Sequence, residues 1–339
     1  MQEPNSQRLD KAYTGIASFL RSRICANLDR LDAAIAVMGI PFDEGSPFLP
    51  GTRMGPRAIR EHSLRFTSGS GGIYDPERKR TYLEHEIVNG LIADVGDADI
   101  WPTDVSTTFD NITKMVRAIR SKKALAVVLG GDHSISYPVV RGFDEDIFVV
   151  QFDAHTDFVP FNGNLRFTNG HAFRHITALE NVQRVHQVGV RSIRHSPAEI
   201  LDSIDAGNRV MNMAEFRAAG PSGIAAEIPA GASVYVSIDI DALDISLIPG
   251  CVSGEPNGMS YQELRDSLAA LAERCVIVGF DLVEVNPPLD AGTGATAYLG
   301  AHIVIEFLAR ICEQKWWMEA CRGRSSRTSG QISSASAGV

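Results

Sequence analysis

The stretch IFVVQFDAHTD, residues 147–157, joins an apolar run to three side chains that bind protons or metals. Its first six residues are rich in β-branched and aromatic types, and the run is too short for an ordinary helix, so it reads as a buried strand. Asp153, His155 and Asp157 follow at every second position. In an extended chain such residues face one side, so the three converge just beyond the strand end. Two other apolar runs finish in the same way. VVLGGDHS (127–134) ends in Asp132 and His133, and VYVSIDIDALD (234–244) ends in Asp239, Asp241 and Asp244.

Further apolar runs at 33–40, 124–130, 182–190 and 276–285 alternate with segments of helical spacing, among them Ser106 to Arg120, Tyr261 to Glu273 and Ala295 to Cys312. Alternation of this kind predicts an α/β fold, a mostly parallel sheet with helices on both faces. Ligand sites in such sheets lie at the carboxyl ends of the strands. The three acidic clusters fall there.

The chain has 339 residues, 44% of them hydrophobic and 22% charged, a composition that supports one large folded unit. We expect an N-terminal arm over 1–30, a catalytic domain over 31–315 and a disordered tail over 316–339, poor in apolar residues from Arg322 onward. A net charge of −9 argues against a nucleic-acid partner and favours a small cationic substrate. Five scattered cysteines without a CxxC pair indicate neither a disulfide framework nor a cysteine zinc site, which fits a cytoplasmic setting. No run of about 20 apolar residues and no secretory leader is evident, so no membrane role is expected.

A single aspartate at a strand end is ordinarily a helix cap or turn residue, and Asp132 and Asp244 fit that description. Clustered carboxylates, by contrast, repel one another and demand a cation. Asp153, Asp157, Asp239 and Asp241 supply four negative charges, two divalent ions would supply four positive ones, and His133 and His155 give one imidazole to each. Oxygen-rich ligation with one histidine per metal suits Mn²⁺ better than Zn²⁺, and Ni²⁺ is compatible with the same ligands. Such a pair of ions acidifies water and directs it to hydrolysis. A serine triad is disfavoured because DHS places the three residue types side by side and no GxSxG elbow is present.

These stretches resemble the ureohydrolase (arginase/agmatinase) family, and specifically its agmatinase-like branch. GIPFDEGSPFLPGTRMGPRAIR (39–60) is similar to that branch's N-terminal signature. GGDHS, DAHTD and SIDIDALD resemble the three metal motifs in order, and GVRS (189–192) and FDLVEVNPP (280–288) resemble two further segments. The resemblance implies a three-layer α/β/α sandwich, assembled as a trimer or hexamer. It implies one metal on His133, Asp153, Asp157 and Asp239 and a second on Asp153, His155, Asp239 and Asp241. It also implies catalytic roles for three residues: Asp157 in stabilising charge, His171 in TNGHAF as a proton shuttle, and Glu284 as the carboxylate that grips a guanidinium. The implied reaction is hydrolysis of a guanidine C–N bond to urea and an amine.

Glu284 lies in an apolar run, where an ionised carboxylate is costly unless paired. Its partner is either a cationic substrate or an arginine, with Arg53 and Arg191 available. The family pattern breaks at Ile245 and in CVSGEPNGMS (251–260), and Leu49 stands where an arginine is frequent. Agmatine or 4-guanidinobutyrate is the default substrate for the resemblance, whereas these departures, near the substrate in the family, suit free guanidine or a substituted biguanide, with nickel, as the alternative. A non-catalytic partner subunit on the same fold is a further alternative, and a two-metal phosphoesterase is disfavoured because no lysine lies in the metal motifs.

Overall fold

The computed structural model describes residues 11–66 and 71–321. Nine strands form one sheet: β1 (Arg23–Ile24), β2 (Ile35–Gly39), β3 (Ile92–Asp97), β4 (Leu125–Leu129), β5 (Ile147–Phe152), β6 (Val182–Val190), β7 (Arg209–Asn212), β8 (Ser233–Asp239) and β9 (Val276–Val283). Their spatial order is β1-β3-β2-β4-β9-β8-β5-β6-β7, and every neighbouring pair is parallel.

Period-two alternation divides each strand between two cores. Leu125, Val127 and Leu129 of β4 face one side, while Ala126 and Val128 face the other. Helices α1 (Gly55–Ser63), α3 (Tyr261–Arg274) and α4 (Ala295–Cys312) cover the first face through Ile59, Leu264, Leu268 and the buried side of α4. Helix α2 (Val105–Ser121) covers the second through Phe109, Ile112, Val116 and Ile119. The result is the three-layer sandwich expected from the alternation. Helix α4 is long and apolar enough to cross a membrane, with mean hydropathy 1.3, but 72% of it is buried inside the fold.

Buried contacts continue on both sides of the stretch 31–315. Within the supposed arm, Phe19 and Leu20 are buried, and their amides donate to Asp94 Oδ2 and Ser63 Oγ at 2.9 Å each. Strand β1 then pairs with β3. Asp94 is held in turn by two nitrogens of the buried Arg60, at 2.8 and 3.0 Å, which ties α1, β3 and the N-terminal segment together. At the other end, Lys315–Cys321 is a helix with Trp317 and Cys321 buried, so apolar anchors extend the folded unit past residue 315. The rest of the expected tail, from Arg322, lies outside the described residues, as do residues 1–10.

Candidate metal centre and active site

Four strands that are adjacent in the sheet, β4, β9, β8 and β5, deliver the site from their carboxyl ends. His133 follows β4, Glu284 follows β9, Asp239 ends β8 with Asp241 in the turn after it, and Asp153, His155 and Asp157 follow β5. All six expected metal residues come together. His133 Nδ1 lies 3.0 Å from Asp153 Oδ2, 3.0 Å from Asp157 Oδ2 and 3.2 Å from Asp239 Oδ2. His155 Nδ1 lies 3.2 Å from Asp153 Oδ1 and 3.1 Å from Asp241 Oδ2. Asp153 thus stands between the two imidazoles, with one oxygen toward each.

Local hydrogen bonds aim these groups. Asp239 Oδ1 accepts the Asp241 amide at 2.8 Å and Asp241 Oδ1 accepts the Ala154 amide at 3.0 Å, so the second oxygen of each points inward. The His133 Nε2–H donates to Ser237 Oγ at 2.8 Å, and that hydroxyl donates to Asp281 Oδ1 at 2.7 Å. Because Nε2 holds the proton in this chain of bonds, the lone pair of Nδ1 faces the carboxylates. His133 Nδ1 and Asp241 Oδ2 are buried without a hydrogen-bond partner among the described residues. These two buried electron-rich atoms belong to two ligand groups that share Asp153, a fitting cradle for cations.

Electrostatics give the same reading. Burial alone would lower both imidazoles, but Asp153, Asp157 and Asp239 hold His133 well above its ordinary range, and Asp241 and Asp153 push His155 up to about 12. Burial, together with neighbouring carboxylates, raises Asp157 and Asp239. The cluster takes up protons for want of another positive charge. Among the described residues no lysine or arginine pairs with any of its aspartates.

Glu284 is 3% exposed, and burial followed by the adjacent Asp132 raises its carboxyl. Its Oε1 accepts the His133 amide at 2.9 Å and the Asn169 side-chain amide at 3.3 Å. Neither available arginine reaches it. Arg53 pairs with Asp43, its Nε donating at 2.6 Å. The Nη2 of Arg191 clamps the carbonyls of Asp241, Leu243 and Glu255 at 2.7 to 3.0 Å. Glu284 and Asp157 both line a cavity of about 260 Å³, and both have left-handed backbone, φ +64° and +47°. Non-glycine residues in that region cost about 1–3 kcal/mol each and persist where the surroundings impose them.

His171 is not among the residues that line this cavity. It is 2% exposed, its Nδ1 is 2.6 Å from Thr168 Oγ1, and its ring stacks on Phe161 with centroids 5.7 Å apart. The cavity wall at this place is made by Asn169 and Gly170. Reading the sequence for titratable groups passed over Asn169, which has no charge to attract notice. It also passed over Ser237 and Asp281, although a carboxylate within the run VIVGFDLVEV was a signal of the same kind as Glu284. Asp132 and Asp244 are the turn residues expected of them: Asp132 accepts from Gly45 and Ser134 amides, and Asp244 from Ser246 and Gly258 amides. Cys251, in the segment that departs from the family pattern, places its sulfur within 4.8 Å of ligand oxygens of Asp239 and Asp241.

A parallel α/β/α sandwich carrying two histidines and four aspartates at adjacent strand ends defines a class of metal-dependent hydrolase. Residues 33–309 match the arginase family, and the chain belongs to it. It is an arginase-family amidinohydrolase. Over 325 residues it is 31% identical to guanidinopropionase from Pseudomonas aeruginosa, spanning 92% of this chain and 98% of that one. It is 30% identical over 317 residues to the mitochondrial agmatinase of Gallus gallus, spanning 90% and 88%. The crystal structure of proclavaminate amidinohydrolase from Streptomyces clavuligerus superposes with a TM-score of 0.77 at 29% identity, covering 89% of this chain and 98% of that one.

Proposed function

We propose that the protein hydrolyses a linear guanidino compound to urea and an amine with two divalent ions, Mn²⁺ by preference and Ni²⁺ as the alternative. His133, Asp153, Asp157 and Asp239 would hold one ion, and Asp153, His155, Asp239 and Asp241 the other. Bound there, the ions supply Lewis acidity and bring the pKa of water toward neutrality.

The residues of the chain do the rest. Glu284 has no cationic partner among the described residues and lines the cavity, so its carboxylate receives a planar guanidinium through paired, charge-assisted hydrogen bonds. Asn169, already bonded to Glu284 Oε1, fixes the orientation of that carboxylate. Asp157, on the cavity wall beside His133, takes the proton from the attacking water and returns it to the departing amine. His171, with Nδ1 2.6 Å from Thr168 Oγ1, anchors the turn that carries Asn169 and Gly170. Ser46, Pro47 and Phe48, on a loop braced by Asp43 and Arg53, restrict solvent at the entrance.

The observation that carries this reading is a buried Glu284, without a lysine or arginine partner among the described residues, that lines the same cavity as the aspartate cluster. Urea release from the purified chain with Mn²⁺ or Ni²⁺ tests it, over 4-guanidinobutyrate, 3-guanidinopropionate, agmatine, arginine, guanidine and a biguanide. We expect urea from at least one linear guanidino compound. Absence of urea from all of them with either metal would overturn the reading in favour of a non-catalytic partner subunit. Assembly as a trimer or hexamer is part of the same proposal.

A further inference from the structure

We propose that Arg194 selects the far end of the substrate and that the substrate is a guanidino acid, whose chain ends in a carboxylate. This rests on the function proposed above and specifies its substrate class.

The cavity is charged at two depths. Asp239, Asp241 and Glu284 are buried at its base, and their charge is matched by metals and by the guanidinium. Toward solvent, the lining includes Arg194, whose side chain is 58% exposed, followed by His195. Arg194 is the one permanent cation among the described lining residues. Glu199, also on this wall, is occupied as the cap partner of Ser196, with Oε1 3.1 Å from Ser196 Oγ.

The present bonds of Arg194 leave part of its guanidinium to be satisfied. Its Nε donates to Glu255 Oε1 at 2.8 Å, while Nη2 lies 2.7 Å from His155 Nε2 and donates to the Ser253 carbonyl at 3.3 Å. Nη1 has no partner among the described residues. Arg194, tethered by Nε to Glu255, stands with its guanidinium among the residues that line the cavity. A carboxylate there completes a charge-assisted pair, whereas the terminal ammonium of agmatine meets a like charge.

Steady-state kinetics on 4-guanidinobutyrate, 3-guanidinopropionate and agmatine, for wild type, Arg194→Gln and Arg194→Glu, provide the first readout. Calorimetric binding of 4-aminobutyrate and putrescine to the Mn²⁺-loaded protein provides a second that needs no turnover. We expect wild type to favour the acids by about tenfold or more in kcat/KM and to bind 4-aminobutyrate over putrescine. Arg194→Gln should lower kcat/KM for the acids by about 10–100-fold and raise it for agmatine, and Arg194→Glu should invert the preference in both assays. A wild type that prefers agmatine, or equal losses on acids and amine in Arg194→Gln, would overturn the inference. If no guanidino compound yields urea, the hydrolase reading fails, and the calorimetric preference still decides the role of Arg194.

Discussion

His133 Nε2 and Ser237 Oγ are joined by a 2.8 Å hydrogen bond that fixes which nitrogen of the imidazole faces the aspartate cluster. Ser237 holds this orientation because its own proton goes to Asp281, a fully buried carboxylate that also accepts from Ser136 Oγ and Tyr235 Oη at 2.7 Å each. Outer partners of this kind typically contribute about 10–100-fold to metal affinity. Asp281→Asn and Ser237→Ala should therefore weaken Mn²⁺ binding by about that factor in calorimetry, with the first ligands intact. Unchanged affinity in both variants would show that the cluster orients His133 without them.

Asn169 and His171 separate two accounts of one loop. The Asn169 amide touches Glu284, so Asn169→Ala should raise KM by roughly tenfold, the size expected for a hydrogen bond to a charged group. His171 packs on Phe161 and Thr168, so His171→Ala should lower the melting temperature and reduce kcat less than about tenfold. A fall in kcat of about a thousandfold at unchanged stability and metal content would restore His171 as the proton shuttle.

His186, on β6, makes stability depend on pH. It is fully buried, neither ring nitrogen has a hydrogen-bond partner among the described residues, and Glu227 Oε2 is 3.9 Å away. Burial, with Arg184 and Arg209 nearby, lowers its pKa from 6.5 to about 4. The unfolded chain therefore binds this proton first as pH falls. The contribution is complete above pH 6.5 and is lost progressively down to about pH 4, where it levels off. Chemical denaturation should show His186→Phe losing about 2 kcal/mol less than wild type between pH 7.5 and pH 5. Parallel losses in the two proteins would mean that His186 is protonated in the fold.

The parts of the molecule legible in the sequence are those where pattern and chemistry coincide. Apolar runs followed by alternating Asp and His located both strand ends and ligands, because extended geometry alone decides which side those residues face. Helix α4 was bounded at Ala295 and Cys312 by its periodicity. Strand β1 escaped notice because two exposed residues carry no alternation, and its place depends on pairing with β3, which is distant in sequence. Asn169, Ser237 and Arg194 escaped for a related reason. Their roles come from contacts with Glu284, His133 and His155 that span from 39 to 115 residues of chain. The position of His171 likewise depended on which residue of TNGHAF the loop turns inward.

The central claim is that the four aspartates and two histidines form a site for two divalent ions on which urea production depends. Metal analysis of the active protein, beside Asp153→Asn and Asp239→Asn, measures this most directly. The account predicts close to two Mn²⁺ or Ni²⁺ per active chain, and loss of both metal and urea release in each variant. Full urea release from protein containing no transition metal, or from either variant, would contradict it.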